Sequence, residues 1–306
     1  MTDAPLPRPT SVRDIRRRED RGIYALSFFL PPVKREAAYA VLAFRRLIHS
    51  AIDNSDQPGD SVDLRLDLFR DRLEEIYAGR LELPERPFRD EAQHTLAAIA
   101  AVVRQFEIPK QHFLDLAEAR RMELTVSRYA TWNALQQYLD RAAGSIARVM
   151  AGVLGVRHSE AAERLATLSQ AIQLTAILCC LGDVGGNGTI FLPLEDLARL
   201  KYSERQLQSR VANEALAPLI KFEIDRARDL YRRGAEGICW LADDGSRFAV
   251  AAFAVLNVRR LKVIEAQPYN VFARRPALRP HQQLACVAAA WRLARRTEDH
   301  PLPDVF

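Results

Sequence analysis

Apolar residues recur at steps of three and four along most of this 306-residue chain. In the segment KREAAYAVLAFRRLIHSAID, the apolar positions Ala37, Val41, Phe44, Ile48 and Ile52 form one stripe of a long helix. The segment SVDLRLDLFRDRLEEIYAG repeats the pattern. Because a half-buried strand needs a period of two instead, this spacing predicts a chain built from helices.

The helical pattern continues without a break that would separate domains. Helices are predicted at residues 109–124, 131–155, 159–184, 214–241, 246–267 and 282–296. No linker rich in Pro, Gly or Ser divides them, and several are apolar on more than one side. We therefore predict one all-α domain at 21–297, a multi-helix bundle around a central cavity, with tails at 1–20 and 298–306.

Charge and composition limit the partners. The net charge of +5 comes from 44 basic and 39 acidic residues, and the two signs are interspersed along the chain. This distribution argues against a nucleic-acid partner, because nucleic-acid binding needs clustered basic residues. A mildly basic surface suits an anionic ligand and an anionic membrane face equally well.

The expected location is cytoplasmic. The first twenty residues lack the apolar core of a signal peptide, and the longest apolar run, FAVAAFAVL, is too short to span a bilayer. The four cysteines show no C-x-x-C spacing, which favours reduced thiols. A peripheral membrane contact stays open.

A cluster of small residues, AAGS at 142–145, lies inside the helix predicted at 131–155. Small side chains permit close packing of two helices. They also suit the wall of an elongated apolar cavity through which a ligand passes. Both interpretations stand at this point.

Several longer segments resemble squalene and phytoene synthases. They are LPPVKREAAYAVLAFRR, FEIPKQHFLDLAEARRMELTVSRYATWNALQQYLDRAAGSIARVM, AIQLTAIL with IFLPLEDLARL, and PYNVFARR, in family order from about Tyr24 to Arg275. The resemblance implies an isoprenoid synthase fold and prenyltransferase activity. In that family, two aspartate-rich motifs on facing helices hold magnesium ions, which bind the diphosphate of an allylic isoprenoid.

The chemistry explains the family motifs. Ionising an allylic diphosphate releases an anionic leaving group into an apolar pocket, and divalent cations held by oxygen ligands stabilise that charge. Carboxylates at i and i+4 project from one helix face and present two ligands together.

This chain departs from both motifs. Where the first motif reads roughly "DDxxD", the chain has HSAID, so that Asp53 is the carboxylate that remains. Where the second reads "NxxRDxxED", the chain has Ala176, Cys179, Cys180, Asp183 and Val184 at the five named positions. Thiol and methyl groups are not magnesium ligands. We therefore expect at most one weakly bound magnesium ion, on Asp53 and Asp183, or none, and no organic cofactor.

The candidate site residues follow from the resemblance. His49, Asp53 and Tyr138 are the candidate catalytic residues, with His49 as hydrogen-bond donor or general base. The candidate substrate-binding residues are Tyr24, Arg45, Arg46, Arg141, Gly144, Gln173 and Tyr269. If magnesium is lost, arginines must carry the diphosphate charge, with Arg46 the first candidate and Lys201 a further one. Each arginine fits a solvated helix face as well.

Three functions compete. The favoured one is a divergent prenyltransferase that binds an isoprenoid diphosphate in an apolar cavity, with an impaired or absent three-magnesium site. The alternative is a relative without catalysis that binds an isoprenoid or another lipid, or serves as an assembly factor. An ordinary head-to-head synthase is the third, and the missing ligands argue against it. The prenyl chain length, the acceptor and the oligomeric state stay open.

Overall fold

A computed structural model of the chain describes residues 26–53, 62–81, 91–181, 189–272 and 276–297, and for residues 50–53 the backbone alone. The predicted tails at 1–20 and 298–306 lie outside these residues. The N-terminal half of the described chain contains α1 Pro32–Asp53, α2 Val62–Tyr77, α3 Glu91–Phe106, α4 Lys110–Thr125, α5 Trp132–Leu139, a π-helical turn Asp140–Gly144, α6 Ser145–Leu154 and α7 Ala161–Cys180.

The C-terminal half is also helical. It contains α8 Leu194–Arg199, α9 Glu204–Gln208, α10 Leu216–Ala235, a 3₁₀ helix Glu236–Trp240, α11 Ser246–Glu265 and α12 Pro280–Ala294. Extended pairing within the described ranges consists of two isolated bridges, Arg128 with Ile190 and Val156 with Leu241. The all-α prediction is therefore confirmed. Among the described helices, none is both long and apolar enough to cross a membrane.

The apolar stripe of α1 is buried as predicted. Ala37, Val41, Phe44 and Ile48 are each at most 1% exposed. Phe44 packs edge-on against Phe113 of α4, with ring centroids 5.3 Å apart. Together with apolar residues of α2, α3 and α6, they form one of two core clusters. The larger cluster surrounds α7, α10 and α11.

The helix predicted at 131–155 is interrupted by the π-helical turn. It begins as expected, since the Thr131 side chain accepts a 3.3 Å hydrogen bond from the Ala134 nitrogen. Within the turn, Asp140 Oδ1 accepts hydrogen bonds from Gln170 Nε2 of α7 at 2.9 Å and from Arg148 Nη2 of α6 at 2.8 Å. Contacts with a neighbouring helix thus accompany the wider turn, which periodicity alone does not show.

The small residues of this turn pack closely rather than leaving space. A Cβ on Gly144 would lie 2.7 Å from Asp140 Oδ1 and 3.1 Å from Arg148 Nη1. The missing side chain therefore makes room for the ion pair between these two residues. Ser145 is fully buried.

Helix α7 runs through the middle of the bundle. It lies against α10 so closely that a Cβ on Gly234 would be 2.3 Å from the Leu168 nitrogen. Helix α6 runs antiparallel to α7, because Asp140 pairs with Gln170 while Arg148 pairs with Glu163, at 2.8 Å.

Helices α1, α7 and α11 share one direction. Residues from the first half of each of these helices line one and the same cavity. Near their ends, His49 of α1 lies beside α4, and Arg260 of α11 is close enough to Cys179 of α7 to affect its pKa. We call the end of the bundle where these three helices terminate the polar end.

Candidate functional site

An apolar cavity of about 180 Å³ lies inside the bundle. Its walls come from residues 26–30 and from α1, α6, α7 and α11, including Leu42, Ala147, Met150, Leu168, Ile172 and Phe253. Ser27 and Ser169 are the hydroxyl-bearing residues of this lining. A pocket with this surface suits a hydrocarbon chain, because water gains few hydrogen bonds there.

The cavity-lining faces lead toward the polar end. On α1, Ala38 and Leu42 line the cavity, and one and two turns later the same face carries Arg45 and His49. On α7, Ile172 lines the cavity and Ala176 follows one turn later. The α6 wall consists of Ile146, Ala147, Met150, Ala151 and Leu154, so the described cavity begins just after the small-residue cluster at 142–145.

Glu123 of α4 organises the polar end. The Tyr138 hydroxyl donates a 2.7 Å hydrogen bond to Glu123 Oε1, and Arg120 forms an ion pair with Oε2. His49 Nδ1 lies 4.0 Å from the same Oε2. The structure thus brings together His49 and Tyr138, two of the three predicted catalytic residues. The side chain of the third, Asp53, lies outside the described part of the chain.

Aromatic rings enclose Tyr138. The rings of Tyr129 and Phe191 lie 5.6 Å and 5.4 Å from the Tyr138 ring, and 5.8 Å from each other. The Tyr129 hydroxyl is buried without a hydrogen-bond partner among the described residues. Burial, and then Glu123, raise the pKa of both tyrosines, with Arg45 acting against the shift at Tyr138. Both hydroxyls are therefore protonated at neutral pH.

Backbone pairing positions Phe191. The Ile190 and Leu194 nitrogens donate to the carbonyls of Ser127 at 3.0 Å and of Tyr129 at 2.9 Å. Glu195 Oε1 accepts a 2.6 Å hydrogen bond from the Trp132 nitrogen at the start of α5. The segment IFLPLE is thereby fixed beside the helix that carries Tyr138.

Arginines outnumber glutamates in the described part of this region. Around Glu118 and Glu123 lie Arg45, Arg120, Arg121 and Arg141. Arg141 Nη1 is 3.7 Å from Glu118 Oε1. The Arg121 hydrogen bond lowers the pKa of Glu118, so this carboxylate stays ionised.

The predicted arginines differ in exposure. Arg45 is half-buried and affects the pKa of Tyr138, whereas Arg46 is exposed. Lys201 is exposed in a turn with a φ of 57°. Of the two predicted arginines of α1, Arg45 is therefore the less exposed one and the one that acts on the pKa of Tyr138.

The described donors on α7 do not fit a magnesium cluster. Ala176 is half-buried, Cys179 is 7% exposed and Cys180 is exposed. Burial raises the pKa of Cys179 to about 12, with Arg260 opposing the shift, so its thiol is protonated. Across the described ranges, no group of three or more His, Cys, Asp or Glu residues is arranged to hold a metal ion. Asp183 lies outside these ranges.

The remaining predicted residues lie at several places. Gln173 is half-buried on α7. Tyr269 follows α11 with a φ of 59°. Gly144 adjoins the ion pair of the π-helical turn. Tyr24 lies outside the described residues. The structure therefore leaves the substrate contacts of these residues as predictions.

Sequence reasoning missed Glu123, Arg120, Tyr129 and Phe191 as site residues. All four lie in segments that resemble the family, ARRMELTVSRY and IFLPLEDL. The available signal was a carboxylate and an aromatic residue within these segments. Their approach to Tyr138 depends on tertiary contacts that helical spacing does not reveal.

Comparison with known sequences gives a consistent result. The model of the squalene/phytoene synthase family matches residues 16–297. A 15-cis-phytoene synthase from Synechocystis sp. is 34% identical over 285 residues, which are 88% of this chain and 81% of that protein. Another, from Synechococcus elongatus, is 29% identical over 290 residues, which are 91% and 90% of the two chains.

Solved structures show the same fold. A dehydrosqualene synthase in complex with a ligand superposes with a TM-score of 0.78 at 22% identity, over 91% of this chain and 93% of that one. A squalene synthase from Alicyclobacillus acidocaldarius gives 0.73 at 23% identity, over 84% and 91%. These likenesses confirm the predicted isoprenoid synthase fold. With the family match over most of its length, the chain belongs to the squalene/phytoene synthase family of prenyltransferases.

Proposed function

We propose that this chain binds an isoprenoid diphosphate and transfers or condenses its prenyl group, with a three-magnesium site that is impaired or absent. The observation that supports this proposal most directly is that one face of α1 leads from the apolar cavity to the polar end. Leu42 lines the cavity, and Arg45 and His49 follow on the same face of α1. The prenyl chain occupies the cavity, and the diphosphate lies among the arginines. Relatives named phytoene synthases support this substrate class.

The diphosphate needs positive charge beside it. Moving a polyanion into an apolar pocket without compensation is prohibitively unfavourable. The C-terminal ends of α1 and α7 add partial negative charge at the polar end. In this proposal, Arg45 and Arg141, assisted by Arg46, balance the negative charge of the diphosphate and of the two helix ends. Arginine suits this task because it forms bidentate hydrogen bonds with phosphate oxygens.

Magnesium has a reduced role in this proposal. Ala176 and Cys180 supply no oxygen ligand at two of the second-motif positions. Asp53 and Asp183 remain the candidate ligands for at most one weakly held ion. We therefore assign no step to a metal cluster.

His49 and Tyr138 are assigned different tasks. His49 donates a hydrogen bond to the diphosphate or accepts the proton that the product loses. Tyr138 remains protonated and hydrogen-bonds Glu123, which lies beside His49. In this proposal Tyr138 holds Glu123 within 4.0 Å of His49 Nδ1, and the rings of Tyr129 and Phe191 shield Tyr138 from water.

The test combines turnover with a blocked cavity. Purified chain is incubated with radiolabelled farnesyl or geranylgeranyl diphosphate, with magnesium or with EDTA, and diphosphate release and prenyl products are measured. Ala147→Phe places a ring in the cavity, so turnover and binding should be lost. Ala78→Phe, at an exposed position after α2, is the matched control and should retain both.

One result would favour the lipid-binding alternative. Equal affinity for a prenyl diphosphate and for its neutral alcohol, without diphosphate release, would show that the cavity binds a lipid and performs no transfer. The observation in favour of lipid binding without catalysis is that Ala176 and Cys180 supply no oxygen ligand at two second-motif positions.

A further inference from the structure

Helix α12 presents an apolar stripe to solvent. Leu284, Val287 and Trp291 are 73%, 51% and 49% exposed and follow one another at steps of three and four. The opposite face, with Cys286, Ala290 and Leu293, is buried. Three large apolar side chains on one outward face of a helix form a contiguous surface, which differs from a single exposed apolar residue.

The charged residues within the described segment 276–297 are basic, and the acidic residues Glu298 and Asp299 follow it in the sequence. Residues 276–297 contain no Asp or Glu, whereas Arg279, Arg292, Arg295 and Arg296 all lie in this segment. The exposed leucines of α2 provide a contrast within the same chain. Leu64 and Leu68 are 46% and 56% exposed, but acidic residues at 63, 67 and 71 accompany them.

Cations lie at both ends of the stripe. Before Leu284, an open pocket of about 610 Å³ between α11 and α12 is lined by Arg259, Lys262 and Arg279, with no acidic residue in its lining. After Val287, the Arg295 guanidinium lies 3.8 Å from the centre of the Trp291 ring. The helix therefore combines an apolar face with positive charge at each end.

We propose that α12 is a docking surface for a lipid bilayer that contains anionic headgroups. The helix lies in the plane of the interface, with Leu284, Val287 and Trp291 inserted among the acyl chains. Tryptophan is favoured at this depth, and the flanking arginines pair with lipid phosphates. This proposal is independent of the proposed function, because the stripe lies apart from the cavity lining.

The occupant follows from charge complementarity. An anionic bilayer presents phosphate groups on every side of an inserted helix, which matches the cations at both ends of α12 and the net positive charge of residues 276–297. A second copy of this chain would bring the same cations to the contact, where like charges repel.

The test is sedimentation of the full chain with vesicles. Binding should be strong with phosphatidylcholine mixed with phosphatidylglycerol, weak with phosphatidylcholine alone, and reduced by added salt. The variant Leu284→Ser/Val287→Ser/Trp291→Ser should lose about tenfold or more in binding to the mixed vesicles. Arg292→Gln/Arg295→Gln should lose about tenfold on those vesicles and little on phosphatidylcholine.

The matched control removes apolar residues elsewhere. Leu64→Ser/Leu68→Ser/Val211→Ser takes three exposed apolar side chains from other surfaces and should bind as the wild type does. Circular dichroism checks that every variant is folded. The proposal is overturned if the α12 triple variant binds like the wild type or if the control loses as much. It is also overturned if light scattering shows a dimer that the triple variant dissociates.

Discussion

The Tyr138 hydroxyl lies 2.7 Å from Glu123 Oε1 and joins α5 to α4 at the polar end. The other Glu123 oxygen pairs with Arg120 and lies 4.0 Å from His49 Nδ1. One carboxylate thus links side chains from α1, α4 and α5. Its position depends on a tyrosine that is 2% exposed and therefore has little freedom to move.

Tyr138→Phe should lower stability and impair ligand binding together. Removing a buried hydrogen bond to a carboxylate costs about 1–2 kcal/mol in the free energy of unfolding. Binding of a prenyl diphosphate analogue should weaken as well, because Glu123 and His49 lose their fixed arrangement. Denaturant unfolding and calorimetric titration measure the two effects.

Tyr202→Phe is the matched control. Tyr202 is also 2% exposed, and its hydroxyl donates a 2.6 Å hydrogen bond to the Val211 carbonyl rather than to Glu123. This variant should lose stability to a similar degree and keep the affinity of the wild type. Equal losses of affinity in the two variants would contradict a specific role for Tyr138.

Arg45→Ala should weaken binding of a prenyl diphosphate analogue more than Arg46→Ala does. From the sequence, Arg46 was the first candidate for this contact. Arg45 is the half-buried one and lies close enough to Tyr138 to affect its pKa. Loss of one charge-assisted contact costs about 1.5–3 kcal/mol, or roughly ten- to a hundredfold in affinity.

The matching neutral alcohol separates charge from shape. Its binding should change little in either arginine variant, since it carries no phosphate. If Arg46→Ala has the larger effect on the diphosphate, the sequence-based assignment is right and Arg45 serves the structure instead.

The features of the fold that depend on the spacing of apolar residues could be predicted from the sequence. The stripe of α1 and the all-α fold follow from apolar spacing, because burial of one helix face is a local pattern. The π-helical turn at Asp140 was not predictable in this way. Its carboxylate is held by Gln170 of α7 and Arg148 of α6, and both contacts form only when the helices pack.

Two residues of the candidate site were predicted from the family resemblance rather than from periodicity. His49 and Tyr138 stand at family positions, and the structure brings them to one carboxylate. That carboxylate, Glu123, lies 74 residues after His49 in the chain. Helical spacing within α4 gives no indication that Glu123 faces α1 and α5 rather than solvent.

Magnesium should raise the melting temperature only slightly. A ligand stabilises the native state only to the extent that it binds that state, and the described second-motif positions supply no oxygen ligands. Thermal unfolding with magnesium and with EDTA measures the shift. A large increase that disappears in Asp53→Ala would show a functional metal site and overturn this expectation.

Gly144→Ala should destabilise the protein by about 1–3 kcal/mol, although alanine is the better helix former. The added methyl would meet Asp140 Oδ1 at 2.7 Å and disturb the pairs with Arg148 and Gln170. Chemical denaturation measures the loss.

A double variant tests this cause. In an Asp140→Ala background the methyl has space, so the cost of Gly144→Ala should largely disappear. Gly152→Ala is a second control, since its methyl would meet only the end of the Ile108 side chain closely, at 2.6 Å. A cost of Gly144→Ala that is unchanged without Asp140 would assign the effect to the π-helical backbone itself.

Two buried carboxylates share one arginine where α8 packs on α10. Arg226 Nη1 lies 2.9 Å from both Glu223 oxygens and 2.7 Å from Asp196 Oδ2. Its guanidinium lies 4.3 Å from the centre of the Trp132 ring. Burial, and then the Asp196 charge, raise the pKa of Glu223 from 4.5 to about 7, although Arg226 opposes the shift.

This arrangement predicts a pH dependence with a definite sign. Because the pKa of Glu223 is higher in the folded chain than in the unfolded chain, the folded state holds the extra proton between pH 4.5 and about 7. The free energy of unfolding therefore falls as pH rises through this window. Glu223→Gln removes that part of the dependence and should gain about 3 kcal/mol in the free energy of unfolding relative to wild type at neutral to mildly alkaline pH. Urea unfolding of both proteins across the window measures this difference. Parallel curves for Glu223→Gln and the wild type would show that Glu223 is already ionised in the folded chain.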